Sequence, residues 1–125
     1  MPDPETPGAR PAPGHILAGL APTDDGERFD ALLETPGLRL ERIVSPPGHA
    51  MPEGDWLEGE RDEWVLVLQG RGALVFEDAP GQVVLNPGDH LQLPARRRHR
   101  VAWTDAQQPT VWLALHYGPE DDPGP

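Results

Sequence analysis

The chain contains no cysteine and no lysine. Without cysteine, neither a disulfide framework nor thiolate redox chemistry is available. The 10 basic residues, all arginine, face 21 acidic ones, and the net charge of -11 disfavours binding of a polyanion such as DNA. No apolar run approaches membrane-spanning length, and the start lacks a charged-then-apolar signal. We therefore expect a cytoplasmic protein that binds neither nucleic acid nor membrane.

Length and composition predict a single folded domain between two tails. A chain of 125 residues is long enough for one hydrophobic core and too short for two cores of normal size. Residues 1–14 are proline-rich and residues 118–125 are acidic, and neither segment can bury enough apolar surface to offset the entropy of chain ordering. We therefore expect a disordered N-terminal arm, one domain over residues 15–117 and a loose acidic tail.

The domain has the pattern of an all-β protein with one short N-terminal helix. Phe29, Leu32 and Leu33 have helical spacing and are followed by Pro36-Gly37, which predicts that helix. After it, short runs of β-type residues alternate with turns that contain glycine or proline. Seven short strands with regular turn spacing indicate a closed barrel or two packed sheets. The predicted strands are Leu38–Ser45, Glu63–Gln69, Ala73–Glu77, Gln82–Leu85, His90–Leu93, His99–Trp103 and Thr110–Tyr117.

The run from Trp64 to Leu68 is apolar on both faces of its predicted strand. A strand with one face in water would alternate apolar and polar residues. The outer face of this strand must therefore be covered by the N-terminal segment, by a second sheet or by another subunit. The last of these alternatives predicts a homodimer.

Two motifs between Glu63 and His99 resemble the motifs of the cupin family. Six residues separate Glu63 from Gly70, as in the first cupin motif, and Gly88, Pro94 and His99 have the spacing of the second. On these residues about two thirds of the chain resembles the small single-domain cupins of bacteria. The resemblance implies a cupin β-barrel, a double-stranded β-helix of jelly-roll type. It leaves the activity open, because cupins include dioxygenases, isomerases, decarboxylases, storage proteins and sugar-sensing domains.

The resemblance also implies a metal site, which this chain preserves in part. Glu63 and His99 occupy two ligand positions of the family, whereas the positions of two further histidines hold Trp56 and Glu58. Glu58 can supply an oxygen ligand, Trp56 cannot ligate, and His49 in the preceding loop is a candidate fourth donor. A set of Glu63, His99, Glu58 and His49 would suit a divalent metal such as Fe, Mn or Zn. The alternative is a metal-free cavity in which Glu63 and His99 form a buried ion pair or hydrogen bond.

Four of the arginines surround His99, at Arg96, Arg97, Arg98 and Arg100. A guanidinium at the mouth of the cavity would pair with a carboxylate or phosphate on a small ligand. We take one of these arginines, Arg96 or Arg98, as the candidate anion anchor. The alternative is a solvated loop whose arginines meet surface carboxylates, each pair contributing only about 0–1 kcal/mol.

The aromatic residues contribute two candidate ligand contacts. Trp103 shares the predicted face of His99, and Trp56 would place a flat wall at a former ligand position, so both are expected to contact a planar or apolar ligand. Trp64 and Trp112 are expected to fill the core. His116, on the face of Trp112, is a further histidine that could approach the site.

These residues support two classes of function. The first is a small-molecule enzyme acting on an organic acid or aromatic compound, in which Glu63 and His99 either hold a metal or work without one. In the metal-free form, Glu63 would be a general base with its pKa raised by burial and His99 would be its partner. The second is a non-catalytic cupin module that binds a small anionic metabolite.

Overall fold

The computed structural model describes residues 8–21 and 26–118. This part of the chain contains eight strands and no helix. The strands are β1 (Arg28–Thr35), β2 (Leu38–Ser45), β3 (Asp62–Gln69), β4 (Gly72–Phe76), β5 (Ala79–Leu85), β6 (His90–Leu93), β7 (His99–Thr104) and β8 (Thr110–Tyr117). The all-β class is confirmed, and the seven predicted strands correspond to β2 through β8.

The predicted N-terminal helix is wrong, because its residues form strand β1. This strand pairs antiparallel with β2, and the register shifts at Leu32, where one extra residue enters β1. Phe29, Leu32 and Leu33 gave the helical spacing, yet their exposed fractions are 56%, 47% and 54%, so they do not form one buried stripe. Pairing with a neighbouring strand thus overrides a weak local preference.

The strands form two antiparallel sheets. The larger has the order β1-β2-β8-β3-β6, and the smaller has the order β5-β4-β7. Strand β8, the last described strand, lies between β2 and β3 in the middle of the larger sheet, whereas β1 and β6 form its edges. This order brings side chains of β2, β3 and β8 next to one another on the face that looks towards the smaller sheet.

The core lies between the two sheets and contains residues from both. Val67, Ala114 and Trp112 come from the larger sheet and Leu74 from the smaller one, and all four are buried. Gly72 at the start of β4 makes room for the indole of Trp112, since a Cβ atom at Gly72 would lie 2.5 Å from Cζ2 of that ring. The glycine therefore fixes how closely β4 approaches this tryptophan.

Both predicted tails fall largely outside the described residues. Of the N-terminal arm, residues 8–14 are described and form no strand, and of the acidic tail only Gly118 is described. Within residues 8–21 and 26–118, no helix is long and apolar enough to cross a membrane.

Candidate functional site

A cavity of about 520 Å³ opens between the two sheets. Its volume is in the range of small-molecule sites. The walls are mainly apolar, with Ile43, Val65, Leu74, Val101 and Trp112 among the lining residues. Ionisable side chains enter the cavity from several elements. They are Glu27, Glu41, His49, Glu58, Glu63, His99 and His116.

Glu63 at the start of β3 lines this cavity together with Val65, as strand alternation predicts. Burial raises the pKa of the Glu63 carboxyl, while the neighbouring His116 and His99 act in the opposite direction and Glu41 adds to the rise. Within the described residues, no hydrogen bond to this carboxyl is present. Burial therefore favours the protonated form of the Glu63 carboxyl. A ligand in the cavity can contact this group.

Glu41 of β2 and His116 of β8 form an ion pair inside the cavity. Their Oε1 and Nε2 atoms lie 2.9 Å apart, and the Glu41 side chain is 9% exposed. The hydrogen bond from His116 lowers the pKa of Glu41, and the same bond raises the pKa of His116. Both shifts favour the charged forms, so a carboxylate and an imidazolium stand beside Glu63.

His99 of β7 is buried, and one of its ring nitrogens has a fixed partner. Nδ1 lies 2.9 Å from the carbonyl oxygen of Arg97. A carbonyl can only accept a hydrogen bond, so Nδ1 donates to Arg97 and Nε2 is the ring nitrogen that this contact leaves available. Because His99 lines the cavity, this nitrogen can accept a hydrogen bond or a proton from a ligand.

A third carboxylate, Glu27, is held by a chain of hydrogen bonds. The indole N–H of Trp112 donates to the Ser45 hydroxyl at 3.0 Å, and this hydroxyl donates to Glu27 at 2.7 Å. Nε2 of His49 lies 3.5 Å from the other Glu27 oxygen. Glu27 thus has a defined position in the cavity, although it lies outside any strand.

The four predicted metal ligands do not form one donor set. Glu63 and His99 both line the cavity, but the Glu58 side chain is 54% exposed and lies 3.6 Å from Arg98, while His49 faces Glu27. Within the described residues, no group of three or more His, Asp or Glu side chains is arranged to hold a metal ion. The arrangement of these donors does not fit Fe, Mn or Zn, which bind proteins through several converging ligands.

The two candidate anion anchors, Arg96 and Arg98, do not line the cavity. Arg98 pairs with Glu77 at 2.8 Å and lies near Glu58, and all three side chains are on the surface. Arg96 is exposed and has a left-handed backbone with φ of 65°, and its N–H donates to the carbonyl of Gly59. The carboxylates nearby and this turn geometry keep both guanidinium groups outside the cavity.

Neither Trp56 nor Trp103 lines the cavity. The guanidinium of Arg100 stacks on the Trp56 ring at 4.5 Å. The expectation for Trp103 fails because β7 contains a bulge, in which one extra residue, Ala102, enters between Val101 and Trp103. A bulge reverses the alternation of side chains, so Trp103 turns outward. Trp112 is part of the core, as expected, and it also lines the cavity.

Two functional candidates, Glu41 and Glu27, are missing from the sequence prediction. Glu41 shares a strand face with Ile43, and this alternation was a usable signal, but its meaning depends on β8 being the neighbour of β2. Glu27 lies just before a segment that sequence spacing assigned to a helix. His116 was noted in the sequence only as a nearby histidine, because its partner Glu41 was unknown.

Comparisons with known proteins identify relatives of the chain. The model of the cupin domain family matches residues 42–116. The solved structure of a candidate mannose-6-phosphate isomerase from Ralstonia eutropha JMP134 is 45% identical, with a TM-score of 0.80 over 86% of this chain and 98% of that chain. No curated protein sequence matches significantly.

Two more distant structures share the fold alone. A cupin superfamily protein from Desulfitobacterium hafniense DCB-2 is 23% identical, with a TM-score of 0.65 over 89% of this chain and 93% of that chain. The Fe(II) form of HppE is 14% identical, with a TM-score of 0.61 over 73% of this chain and 50% of that chain.

Proposed function

The chain belongs to the cupin domain family, and we propose that it is a small-molecule enzyme of this family that catalyses proton transfer in its cavity. The observation that carries the proposal is the Glu63 carboxyl, which lines an apolar cavity and has a pKa raised by burial. General acid–base catalysis is most effective when the pKa of the catalytic group approaches the working pH. A carboxyl in water has its pKa too low for this task, and burial moves Glu63 in the required direction.

The pKa values of Glu63 and Glu41 are shifted in opposite directions, which supports separate roles. Burial raises the pKa of Glu63, whereas the hydrogen bond from His116 lowers that of Glu41. Opposite shifts in neighbouring carboxyl groups are typical of acid–base sites. In this proposal Glu63 moves the proton, and Glu41 stays ionised and keeps His116 charged.

The reaction class that suits these groups is the reversible removal of a proton from a carbon atom next to a carbonyl. Glu63 as a carboxylate takes the proton and returns it to the same carbon, which gives exchange. When that carbon carries a hydroxyl group, return of the proton to the former carbonyl carbon, with transfer of the hydroxyl proton to the carbonyl oxygen, gives isomerisation. The His116 imidazolium places a positive charge near the developing enolate, and Nε2 of His99 accepts a hydrogen bond from a substrate hydroxyl. Isomerisation is also the reaction in the name of the 45% identical protein.

A metal ion has no step in this proposal. The Fe(II) form of HppE makes a divalent metal a reasonable hypothesis for a cupin, but that structure is similar in fold alone. In this chain Glu58 lies on the surface near Arg98, and Nε2 of His49 lies 3.5 Å from Glu27 without a hydrogen bond within the described residues, so the four predicted donors do not converge. The proton-transfer proposal therefore uses only the protein's own side chains.

The test is solvent deuterium exchange followed by proton NMR. A panel of small aldehydes, ketones and hydroxy compounds, with mannose 6-phosphate included, is incubated with the protein in heavy water. We expect exchange at a carbon next to the carbonyl of at least one compound. Glu63→Gln should slow this exchange by roughly a hundredfold or more, the usual contribution of a general base. Glu77→Gln, which changes a surface carboxylate, serves as the matched control.

Two results would contradict the proposal. If exchange were as fast in Glu63→Gln as in the unmodified chain, Glu63 would not be the base. If compounds stabilised the protein in thermal-shift measurements and none underwent exchange, the chain would be a binding module without catalysis.

A further inference from the structure

The charged side chains that line the cavity are mainly glutamates. The lining residues include Glu27, Glu41, Glu58 and Glu63, and within the described part of the chain they include no arginine. Glu41 is neutralised by His116, and Glu58 lies beside Arg98 at the rim. Glu27 and Glu63 remain as the carboxyl groups without an arginine beside them; their nearest basic groups are the imidazoles of His49 for Glu27 and of His116 and His99 for Glu63.

The adjoining surface groove also contains more glutamates than arginines. It shares Glu41, Glu63 and His116 with the cavity and contains two arginines, Arg39 and Arg61, together with Glu34 and Glu60. The guanidinium of Arg39 already lies 3.4 Å from Glu34 and 3.2 Å from Glu41. A ligand anion that entered from the groove would therefore meet more carboxylates than cations.

The walls strengthen the effect of these carboxyl groups. Trp112 and Phe29 present aromatic surfaces to the cavity, and Ile43, Val65 and Val101 add aliphatic ones. A charge surrounded by such walls acts through a lower dielectric than in water, so a single carboxylate discriminates strongly between ligand charges. Aromatic faces also attract onium groups through cation–π interactions.

We propose that the cavity binds a small organic cation, an ammonium group with apolar substituents, whose positive charge lies between Glu63 and Glu27. The proposal rests on the proposed function only in assigning the ligand to the same cavity. It replaces the expected anionic ligand, because Arg96 and Arg98 do not reach the cavity. The ammonium charge would meet the carboxylates, and its alkyl groups would contact the apolar walls.

The test compares three probes of nearly the same shape by isothermal titration calorimetry at neutral pH with EDTA present. Choline carries the positive charge, neohexyl alcohol replaces its nitrogen with carbon, and the carboxylate of tert-butylacetic acid carries a negative charge. We expect choline to bind at least about tenfold more tightly than neohexyl alcohol, a free-energy difference of about 1.4 kcal/mol. The carboxylate should bind most weakly. EDTA removes metal ions that could bridge an anion to the cavity.

Two isosteric variants connect the charge preference to its residues. Glu63→Gln and Glu27→Gln should each reduce the preference for choline over neohexyl alcohol by at least about threefold, and Glu77→Gln should leave it unchanged. Circular dichroism establishes that each variant is folded, and Glu27→Gln serves as the second variant if Glu63→Gln is unstable.

The proposal is overturned if the neutral or anionic probe binds as tightly as choline, or if no probe of the three binds. It is also overturned if both glutamine variants keep the full preference for choline. Binding is measured without turnover, so a lack of deuterium exchange would refute proton transfer while leaving the charge preference to be judged by calorimetry.

Discussion

The Glu41–His116 pair predicts a stability difference that depends on pH in a defined way. The perturbation is Glu41→Gln, which keeps the shape of the side chain and removes its charge. Hydrogen bonds to charged groups contribute about 1.5–3 kcal/mol, and neutral ones about 0.5–1.5 kcal/mol. The Glu41 and His116 side chains are 9% and 27% exposed, so solvent screens their interaction only in part.

The sign of the pH dependence follows from the two shifts. The folded protein lowers the pKa of Glu41 from 4.5, so its contribution is present above pH 4.5 and is lost as the pH falls through the folded value. It raises the pKa of His116 from 6.5, so that contribution is complete below pH 6.5 and is lost as the pH rises through the folded value. The pair therefore stabilises the fold most between pH 4.5 and 6.5.

The assay is urea unfolding of the unmodified chain and of Glu41→Gln at about pH 5.5 and at about pH 9, below and well above the ordinary histidine pKa of 6.5, which the fold raises in His116. Because the glutamine can still hydrogen-bond, the expected loss is the difference between a charged and a neutral hydrogen bond, about 1–1.5 kcal/mol of unfolding free energy at the lower pH and clearly less at the higher one. Glu77→Gln is the matched control, since its partner Arg98 stays charged throughout and both side chains are 45% exposed. An equal loss from Glu41→Gln at both pH values would refute the ion pair.

Three further predictions address the core, the metal and the assembly. Gly72→Ala should destabilise the fold by about 1–3 kcal/mol in urea unfolding, because its Cβ would overlap the Trp112 ring, whereas Gly54→Ala, which points into open space, should change little. Elemental analysis of protein purified without added metal should give substoichiometric Fe, Mn and Zn, because within the described residues the predicted donors do not form one set, and one equivalent of any of these metals would contradict this. Light scattering should give a dimeric mass, because Trp64 and Leu66 on the outer face of β3 are covered only in part, and a monomeric mass would show that no second copy covers them.

The strands of the domain could be predicted because their boundaries have local causes. Glycine and proline occur in the turns before β4 and β6, and the predicted and observed bounds of β2, β6 and β8 are the same. The error at β1 has a different origin. Leu32 is the extra residue of a bulge and Leu33 follows it, and a bulge mimics helical spacing because it interrupts the two-residue alternation.

A site residue could be predicted from the sequence only where it belongs to a local motif. Sequence spacing identified Glu63 and His99, and both line the cavity. Glu41 was missed because its importance depends on the neighbouring strand β8, whose pairing with β2 joins residues far apart in the chain. Trp103 was placed on the wrong face because nothing local indicated the extra residue in β7.

The proposal that Glu63 is a tuned acid–base group has one direct test, an NMR titration of carbon-labelled glutamate side chains. The Glu63 resonance is assigned by its disappearance in Glu63→Gln. The account predicts a titration midpoint clearly above the usual 4.5, because burial disfavours the charged carboxylate. A midpoint at or below 4.5 would mean that His116 and His99 outweigh burial, and the acid–base role of Glu63 would then be contradicted.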